Sequence, residues 1–172
     1  MKKLLSIKGV KLAACASGIK QSNKKDLAII ELPPKSHVSA AFTQNTACAA
    51  PVEVARSHHS NAPARLLIIN SGNANAWTGA AGVEAVHHVV RSTADMVRCP
   101  VRQVFVSSTG VIGEVLDAAK ITKALPSLCR QISPNNWLAA AKSIMTTDTF
   151  PKGATRSVIV NGRVVTINGI AK

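Results

Sequence analysis

A chain of 172 residues is long enough to bury a hydrophobic core, and 47% apolar against 17% charged residues excludes a disordered protein. The 21 Lys and Arg residues against 8 Asp and Glu give a net charge of +13, but the basic residues are scattered singly or in pairs, and Tyr is absent. Without a basic block or an aromatic platform, nucleic acid is the weaker alternative to a solvated basic surface or a surface matched to an acidic partner chain.

The first residues imitate a signal peptide, with a basic start followed by small and apolar residues. Lys8 and Lys11 interrupt the apolar stretch that a signal needs, and no run of 18 apolar residues predicts a membrane span. The cysteines form no Cys-x-x-Cys pair and the histidines no chelating spacing, so we expect reduced thiols in a cytoplasmic protein and no metal site. The cysteines are Cys15, Cys48, Cys99 and Cys129.

Strands and helices alternate along the chain without a repeat. Apolar runs between turn residues predict strands at residues 26–31, 37–43, 65–70 and 104–108, and apolar rows at helical spacing predict helices at residues 82–99, 117–125 and 136–145. Pro126 ends the second of these helices in the prediction. Two further strands, at residues 156–160 and 163–167, flank the strong hairpin signal Asn161-Gly162. The pattern predicts an α/β or α+β class whose strands need more cover than these helices provide.

Three polar segments are candidates for chemistry. The strand at residues 104–108 runs into Ser-Thr-Gly, and the strand at residues 65–70 runs into an Asn- and Gly-rich exit at residues 70–79. The Ser-Thr-Gly exit by itself favours an ordinary turn over a ligand site, whereas the Asn- and Gly-rich exit suits a strand-to-helix turn and a ligand-shaping loop equally. Residues 145–149, Met-Thr-Thr-Asp-Thr, offer hydroxyl donors, but they are also β-formers, and the residues alone favour a strand that opens the hairpin. Gly-rich phosphate loops, a carboxylate dyad and a Gly-x-Ser-x-Gly elbow are all missing from the sequence.

Four stretches in this order resemble the α chain of the ArgJ family, the bifunctional ornithine acetyltransferases and glutamate N-acetyltransferases of arginine biosynthesis. They span nearly the whole chain and comprise Gly-Ile-Lys at residues 18–20 with residues 25–29, Asn-Ser-Gly-Asn-Ala-Asn at residues 70–75, Ser-Ser-Thr-Gly-Val-Ile-Gly at residues 107–113, and residues 145–149 with Pro151 and Lys152.

The resemblance implies a DmpA/ArgJ-like fold, a layered α/β/β/α sandwich in which residues 1–172 form a single domain completed by a β chain. It further implies a precursor that cuts itself and frees an N-terminal threonine on the β chain, in an α2β2 heterotetramer. That threonine takes the acetyl group from N-acetylornithine, releases ornithine, and passes the acetyl group to glutamate. No cofactor is implied, although some members accept acetyl-CoA as a co-substrate.

Residue by residue, the resemblance assigns four positions. Thr109 and Gly110 match the pair that forms the oxyanion hole, through a hydroxyl and a backbone N–H. Thr146 and Lys172 match the substrate-binding threonine and lysine, and a lysine suits the α-carboxylate of either substrate.

The family's cleavage segment, a Gly-rich stretch that ends Pro-Asn-Met-Ala-Thr, follows the matched lysine and is not part of this sequence. Ala154-Thr155 lacks the Gly-rich lead and matches the entry to the hairpin, so it is not the expected cleavage site. The resemblance therefore implies that the nucleophile lies outside this chain and that the isolated chain is inactive. The alternatives are a self-processing aminopeptidase relative and an inactive truncated α chain.

Overall fold

The computed structural model describes residues 1, 3–59 and 63–172. Its main sheet has four strands in the order β1-β2-β3-β4: Lys11–Cys15, Leu27–Ser36, Ala64–Asn73 and Val104–Val111. A separate antiparallel pair follows, β5 at Lys152–Val160 and β6 at Arg163–Ala171. The helices of the described part are α1 at Ala50–His59, α2 at Gly79–Val97, α3 at Ala118–Arg130 and α4 at Trp137–Ser143.

The parallel pair β3 and β4, joined through α2, positions the polar strand exits. The strands predicted at residues 65–70 and 104–108 are confirmed and extend further, with Leu66 opposite Val104 and Gly72 opposite Gly110. Because parallel strands end at the same edge of a sheet, the Asn- and Gly-rich exit of β3 lies beside the Ser-Thr-Gly exit of β4.

One face of the sheet is fully covered. Alternate strand residues such as Leu27, Ile68 and Val106 pack on the apolar row of α2, and on α3, in the main hydrophobic core. The predicted helix row is confirmed, since Val86, Val89 and Val90 are buried.

The other face is covered unevenly. Helix α4 packs over β1 and β2, where the small side chains of Ala14, Ala28 and Ala140 allow the close approach that its Ala-rich sequence predicted. Over β3 and β4, by contrast, Ile69 is only half-buried and Ser107 is exposed. The sheet thus retains an open area on this side, in agreement with the expectation that its strands lack cover.

In the first third of the chain one predicted strand is wrong and one helix was not predicted. Residues 37–43 form no strand, because Val38 and Phe42 pack into the cluster around Phe105 as isolated anchors while their backbone pairs with no neighbouring strand. Helix α1 was not predicted, since the small and polar residues 44–51 conceal its beginning. It is stabilised by burial of Val54 in the main core.

Two element ends that were predicted from proline residues are wrong. Strand β2 continues through Pro33 and Pro34 beyond Glu31, where its pairing with β1 ends, so the prolines lie on a locally unpaired edge. Helix α3 continues through the exposed Pro126, and burial of Leu125 and Leu128 on either side offsets the hydrogen bond that proline cannot make.

The predicted hairpin is confirmed, and both of its turn residues adopt the left-handed conformation, with φ of 50° at Asn161 and 73° at Gly162. Its strands are longer than predicted, with nine residues each. The tip carries exposed apolar side chains, among them Ile159 and Val164 at 76% and 72% exposure.

The four cysteines and His58 are partly buried within the fold. All four cysteines are free and half-buried, and burial raises the pKa of the Cys15, Cys99 and Cys129 thiols. His58 donates from Nδ1 to the Val104 carbonyl oxygen at 2.9 Å, which fixes its ring against β4. No cluster of potential metal ligands and no helix of membrane-spanning length and apolarity occurs in the described ranges.

Candidate active site

A cavity of about 900 Å³ opens where β3 and β4 end. Its walls come from three segments that are distant in sequence: the loop between β1 and β2, the glycines at the two strand exits, and the loop between α4 and β5. The lining residues are Lys20, Ser22, Lys24, Lys25, Gly72, Gly110, Val111, Lys142, Met145, Thr146, Thr147, Asp148, Thr149 and Pro151.

Gly110 brings the backbones of the two parallel strands into close approach. Its φ is +138°, and a Cβ atom built at this position would lie 2.3 Å from the carbonyl carbon of Gly72 and 2.5 Å from the backbone nitrogen of Asn73. The pairing register shifts at the same point, at Gly72 and Asn73. Only glycine fits here, because any side chain would collide with the β3 backbone and adopt an unfavourable conformation.

The asparagines of the β3 exit hold the two strand ends together. Ser108 Oγ donates to Asn70 Oδ1 at 2.6 Å, and Asn70 Nδ2 donates to the Asn73 carbonyl oxygen at 2.8 Å. Asn73 Nδ2 then donates to the Glu114 carbonyl oxygen at 3.0 Å, on the loop that follows β4. This exit is therefore a structural element that fixes the edge on which the cavity is built, and Asn70 and Asn73 are both buried.

Thr109 lies on β4 immediately before Gly110 and is half-buried. Its β4 neighbours Phe105 and Ser107 share its side of the strand, which is the side that the sheet leaves partly open. Within the described residues its hydroxyl makes no hydrogen bond, so it is available as a donor. Thr109 does not line the cavity itself, whereas Gly110 does.

Asp148 organises the opposite wall. Its Oδ2 accepts from the Thr146 backbone N–H at 3.2 Å and lies 3.7 Å from Nζ of Lys172, and its Oδ1 accepts from Nζ of Lys152. Through this one carboxylate, Lys172 at the end of the chain is held beside Thr146. Residues 145–149 are a loop and do not open the hairpin as strand, so the strand interpretation is wrong.

The hydrogen bond from Lys152 lowers the pKa of Asp148 to about 2, with smaller contributions from the Thr146 N–H and the charge of Lys172. The carboxylate is therefore ionised at any physiological pH, and its charge is compensated by the two lysines. It does not act as a proton donor in this arrangement.

Lys20 connects the loop between β1 and β2 to the loop after α4. Its Nζ donates to the Met145 carbonyl oxygen at 2.7 Å and to the Lys25 carbonyl oxygen at 3.3 Å. Burial lowers the pKa of Lys20, with the nearby Asp26 acting in the opposite direction. The completely buried Asp26 fixes this loop, because its carboxylate accepts from the Ser17 N–H at 2.6 Å and from the Lys20 N–H at 2.9 Å.

The electrostatics of the cavity favour an anion. Four of the lining residues are lysines, Lys20, Lys24, Lys25 and Lys142, against the single carboxylate of Asp148, which is already paired with two other lysines. Ligands with carboxylate groups are therefore attracted to this site.

Of the residues that the sequence singled out, Gly110 and Thr146 line one cavity, Lys172 reaches it through Asp148, and Thr109 is adjacent to Gly110. Lys20 and Asp148 were not assigned a role from the sequence, although both lie within the stretches that carry the family resemblance. Their significance arises from contacts between distant segments.

In a mixed α/β fold, the edge where parallel strands end is a common place for a small-molecule site, and the cationic lining of this cavity suits an anionic ligand. The model of the ArgJ family matches residues 11–172. The chain is 42% identical over 172 residues to the arginine biosynthesis bifunctional protein ArgJ of Bartonella henselae, covering 100% of this chain and 42% of that protein. It is 45% identical over 170 residues to the protein of the same name from Methylococcus capsulatus, covering 99% of this chain and 41% of that protein. This chain belongs to the ArgJ family and corresponds to its α-chain region.

Two crystal structures share the fold. The arginine biosynthesis bifunctional protein ArgJ of Bacillus halodurans superposes with a TM-score of 0.90 at 32% identity, covering 99% of this chain and 89% of that chain. The ornithine acetyltransferase of Mycobacterium tuberculosis, solved in complex with ornithine, superposes with a TM-score of 0.83 at 28% identity, covering 99% and 91%. This chain thus spans about 42% of its curated relatives but nearly the full length of these solved chains.

Proposed function

We propose that this chain is the α-chain part of an acetyltransferase that moves the acetyl group of N-acetylornithine to glutamate through an acetyl-threonine intermediate. The observation that carries the proposal is the convergence of Gly110, Thr146 and Lys172 on one cationic cavity in a chain of the ArgJ family. The similar proteins support it, since they are arginine biosynthesis proteins and an ornithine acetyltransferase that was solved in complex with ornithine.

The proposed role of the strand exit is to stabilise the oxyanion. Attack on the acetyl carbonyl places negative charge on its oxygen, and the Gly110 N–H and the Thr109 hydroxyl are the donors assigned to it. The rigid strand end supports this role, because the bulge at Gly72 and the asparagine hydrogen bonds fix the backbone before the substrate arrives. Preorganised donors of this kind need no rearrangement in the transition state.

The proposed role of the opposite wall is to bind the α-carboxylate that N-acetylornithine and glutamate share. Lys172 supplies a charge-assisted hydrogen bond and Thr146 its side-chain hydroxyl, since the Thr146 backbone N–H already donates to Asp148. Asp148 keeps the Lys172 ammonium beside Thr146, at 3.7 Å from its own oxygen. The same wall would serve both half-reactions, since both substrates are α-amino acids or their acetyl derivatives.

The proposed nucleophile is the N-terminal threonine of a second chain from the same precursor. Its amine acts as the base, its Oγ attacks the acetyl carbon, the C–N bond breaks, and ornithine leaves with the transferred proton. The glutamate amine then attacks the resulting ester and restores the threonine. Two observations support a second chain: the relatives are more than twice as long as this chain, and the sheet is open over β3 and β4. We propose a cytoplasmic α2β2 assembly, with acetyl-CoA as an optional acetyl donor.

The test is Thr109→Ala in the complete enzyme. Loss of one oxyanion donor should lower kcat by roughly 10²- to 10³-fold while KM changes little. Ser107→Ala, two residues earlier on the same side of β4, is the matched control and should leave kcat near the wild-type value. An unchanged kcat in Thr109→Ala would remove the hydroxyl from the oxyanion role. Peptide hydrolysis by a wild type that transfers no acetyl group would instead support the aminopeptidase alternative.

A further inference from the structure

None of the four lysines that line the cavity has a role in the proposed catalytic arrangement, and one of them differs from the rest in its burial. Lys20 is half-buried, whereas Lys24, Lys25 and Lys142, which line the same cavity, are exposed. Partial burial fixes the position of the Lys20 side chain. Burial also makes the positive charge of this side chain costly unless an anion is nearby. The nearby carboxylate of Asp26 offsets part of this cost, but within the described residues no carboxylate forms an ion pair with the Lys20 ammonium group.

The geometry leaves Lys20 with capacity to bind a ligand. An ammonium group has three N–H donors. Two of them are directed to main-chain oxygens, at 2.7 Å for Met145 and 3.3 Å for Lys25, so one donor and the whole positive charge remain. The Met145 carbonyl immediately precedes Thr146, which places the Lys20 ammonium next to the wall assigned to the substrate.

The other cations near this wall are already engaged. Lys172 is assigned to the α-carboxylate and is paired with Asp148. Lys152 is bonded to the same carboxylate, and its Nζ lies 5.3 Å from the ring centroid of Phe150. Lys20 is therefore the half-buried cation available for a second negative group.

We propose that Lys20 is the specificity-determining residue that binds the side-chain carboxylate of the acidic acyl acceptor. The inference rests on the proposed function, in which the two amino acids carry side chains of opposite charge. N-acetylornithine has a cationic side chain and glutamate an anionic one, so a fixed cation at this position favours the second half-reaction without assisting the first. The hydrogen bonds to Met145 and Lys25 hold the ammonium at one position, which makes it selective for a carboxylate at the right distance from the α-carbon.

Kinetics of the complete enzyme test this assignment. In a ping-pong reaction kcat/KM for each substrate reports that substrate's own half-reaction. Lys20→Gln retains N–H donors for the two main-chain oxygens but removes the charge. Loss of a charge-assisted hydrogen bond should lower kcat/KM for glutamate by on the order of 10- to 100-fold. The kcat/KM for N-acetylornithine should not fall. Glutamine serves as an uncharged comparison acceptor, and the ratio of kcat/KM for glutamate to that for glutamine should fall by the same factor as kcat/KM for glutamate.

The controls separate charge recognition from structural damage. Lys123→Gln removes an exposed lysine on α3 that does not line the cavity and should alter neither kcat/KM, while Lys20→Arg should retain the preference for glutamate over glutamine. Lys20→Met provides a second uncharged variant that keeps the apolar stem, and variants are compared only if they assemble and unfold like the wild type. An equal fall for both substrates, or an unchanged glutamate/glutamine ratio in the uncharged variants, overturns the assignment. A wild type that transfers no acetyl group between these substrates contradicts the proposed function instead, before any variant is compared.

Discussion

Gly110→Ala tests the closest backbone approach at the candidate site. The substituted Cβ would lie 2.3 Å from the Gly72 carbonyl carbon and 2.5 Å from the Asn73 nitrogen, and both atoms belong to the backbone of a central strand. Since no flexible side chain can move aside, the strands must separate or the bulge must change its register. The φ of +138° adds a conformational cost for any residue with a side chain.

The magnitude follows from two separate costs. Holding a non-glycine residue in a sparsely populated backbone region costs about 1–3 kcal/mol. Forcing an extra methyl group into a packed contact costs a further ~1–3 kcal/mol. Gly113→Ala is the matched control, because Gly113 also has a positive φ, of +87°, but a Cβ there would meet nothing within 4 Å. The control carries the first cost alone, so the difference between the two variants measures the close approach.

Thermal unfolding of the complete enzyme measures this difference. The complete enzyme is proposed to be more than twice as long as this chain, and each kcal/mol then lowers Tm by roughly 1–2 °C, so Gly110→Ala should unfold at least about 1 °C below Gly113→Ala. Acetyl transfer should also fall in Gly110→Ala more than in the control, because the assigned N–H moves with the strand. Equal Tm values for the two variants would show that the methyl group added at Gly110 meets no steric barrier, which would contradict the close approach of Gly110 to the β3 backbone.

Two further substitutions test the carboxylates that organise the cavity. The pKa of Asp148 is lowered from 3.8 to about 2, so its stabilising contribution is complete above pH 4 and is lost as the pH falls towards 2. Asp148→Asn should therefore flatten the acid limb of a plot of Tm against pH. An acid limb that is unchanged in this variant would contradict the pairing with Lys152. Asp26→Ala removes a buried acceptor of hydrogen bonds from Ser17 and Lys20 and should lower the free energy of unfolding by about 2–4 kcal/mol. Asp117→Ala removes an exposed helix cap and should lower it by only ~1 kcal/mol. Similar unfolding midpoints for these two variants would refute the structural role of Asp26.

Features that depend on neighbouring residues were predictable from the sequence. The hairpin turn follows from Asn161-Gly162, because these two residue types tolerate the left-handed conformations that the turn requires. The strands β3 and β4 follow from their apolar runs, and the row of α2 from its helical spacing. The parallel pairing of β3 and β4 could be anticipated only in outline, as an α/β arrangement of unspecified strand order.

Features that depend on distant contacts were not predictable. Helix α1 begins among small residues and owes its stability to burial of Val54, which no local pattern reveals. Proline ends a helix reliably only where packing does not compensate for the lost hydrogen bond, and at Pro126 the packing of α3 compensates for it. The bond between Lys20 and the Met145 carbonyl joins residues 125 positions apart. The family resemblance assigned Thr109, Gly110, Thr146 and Lys172 to roles, and those roles stay predictions.

The central claim is that this chain supplies half of an active site for a nucleophile carried by a second chain. The most direct measurement is intact-mass and peptide mapping of the complete enzyme after incubation with N-acetylornithine in the absence of glutamate. We expect one acetyl group per catalytic site, attached to the N-terminal threonine of the second chain, with stoichiometric release of ornithine and loss of the label when glutamate is added. Acetylation of this chain instead, or ornithine release without any acetylated intermediate, would contradict the claim.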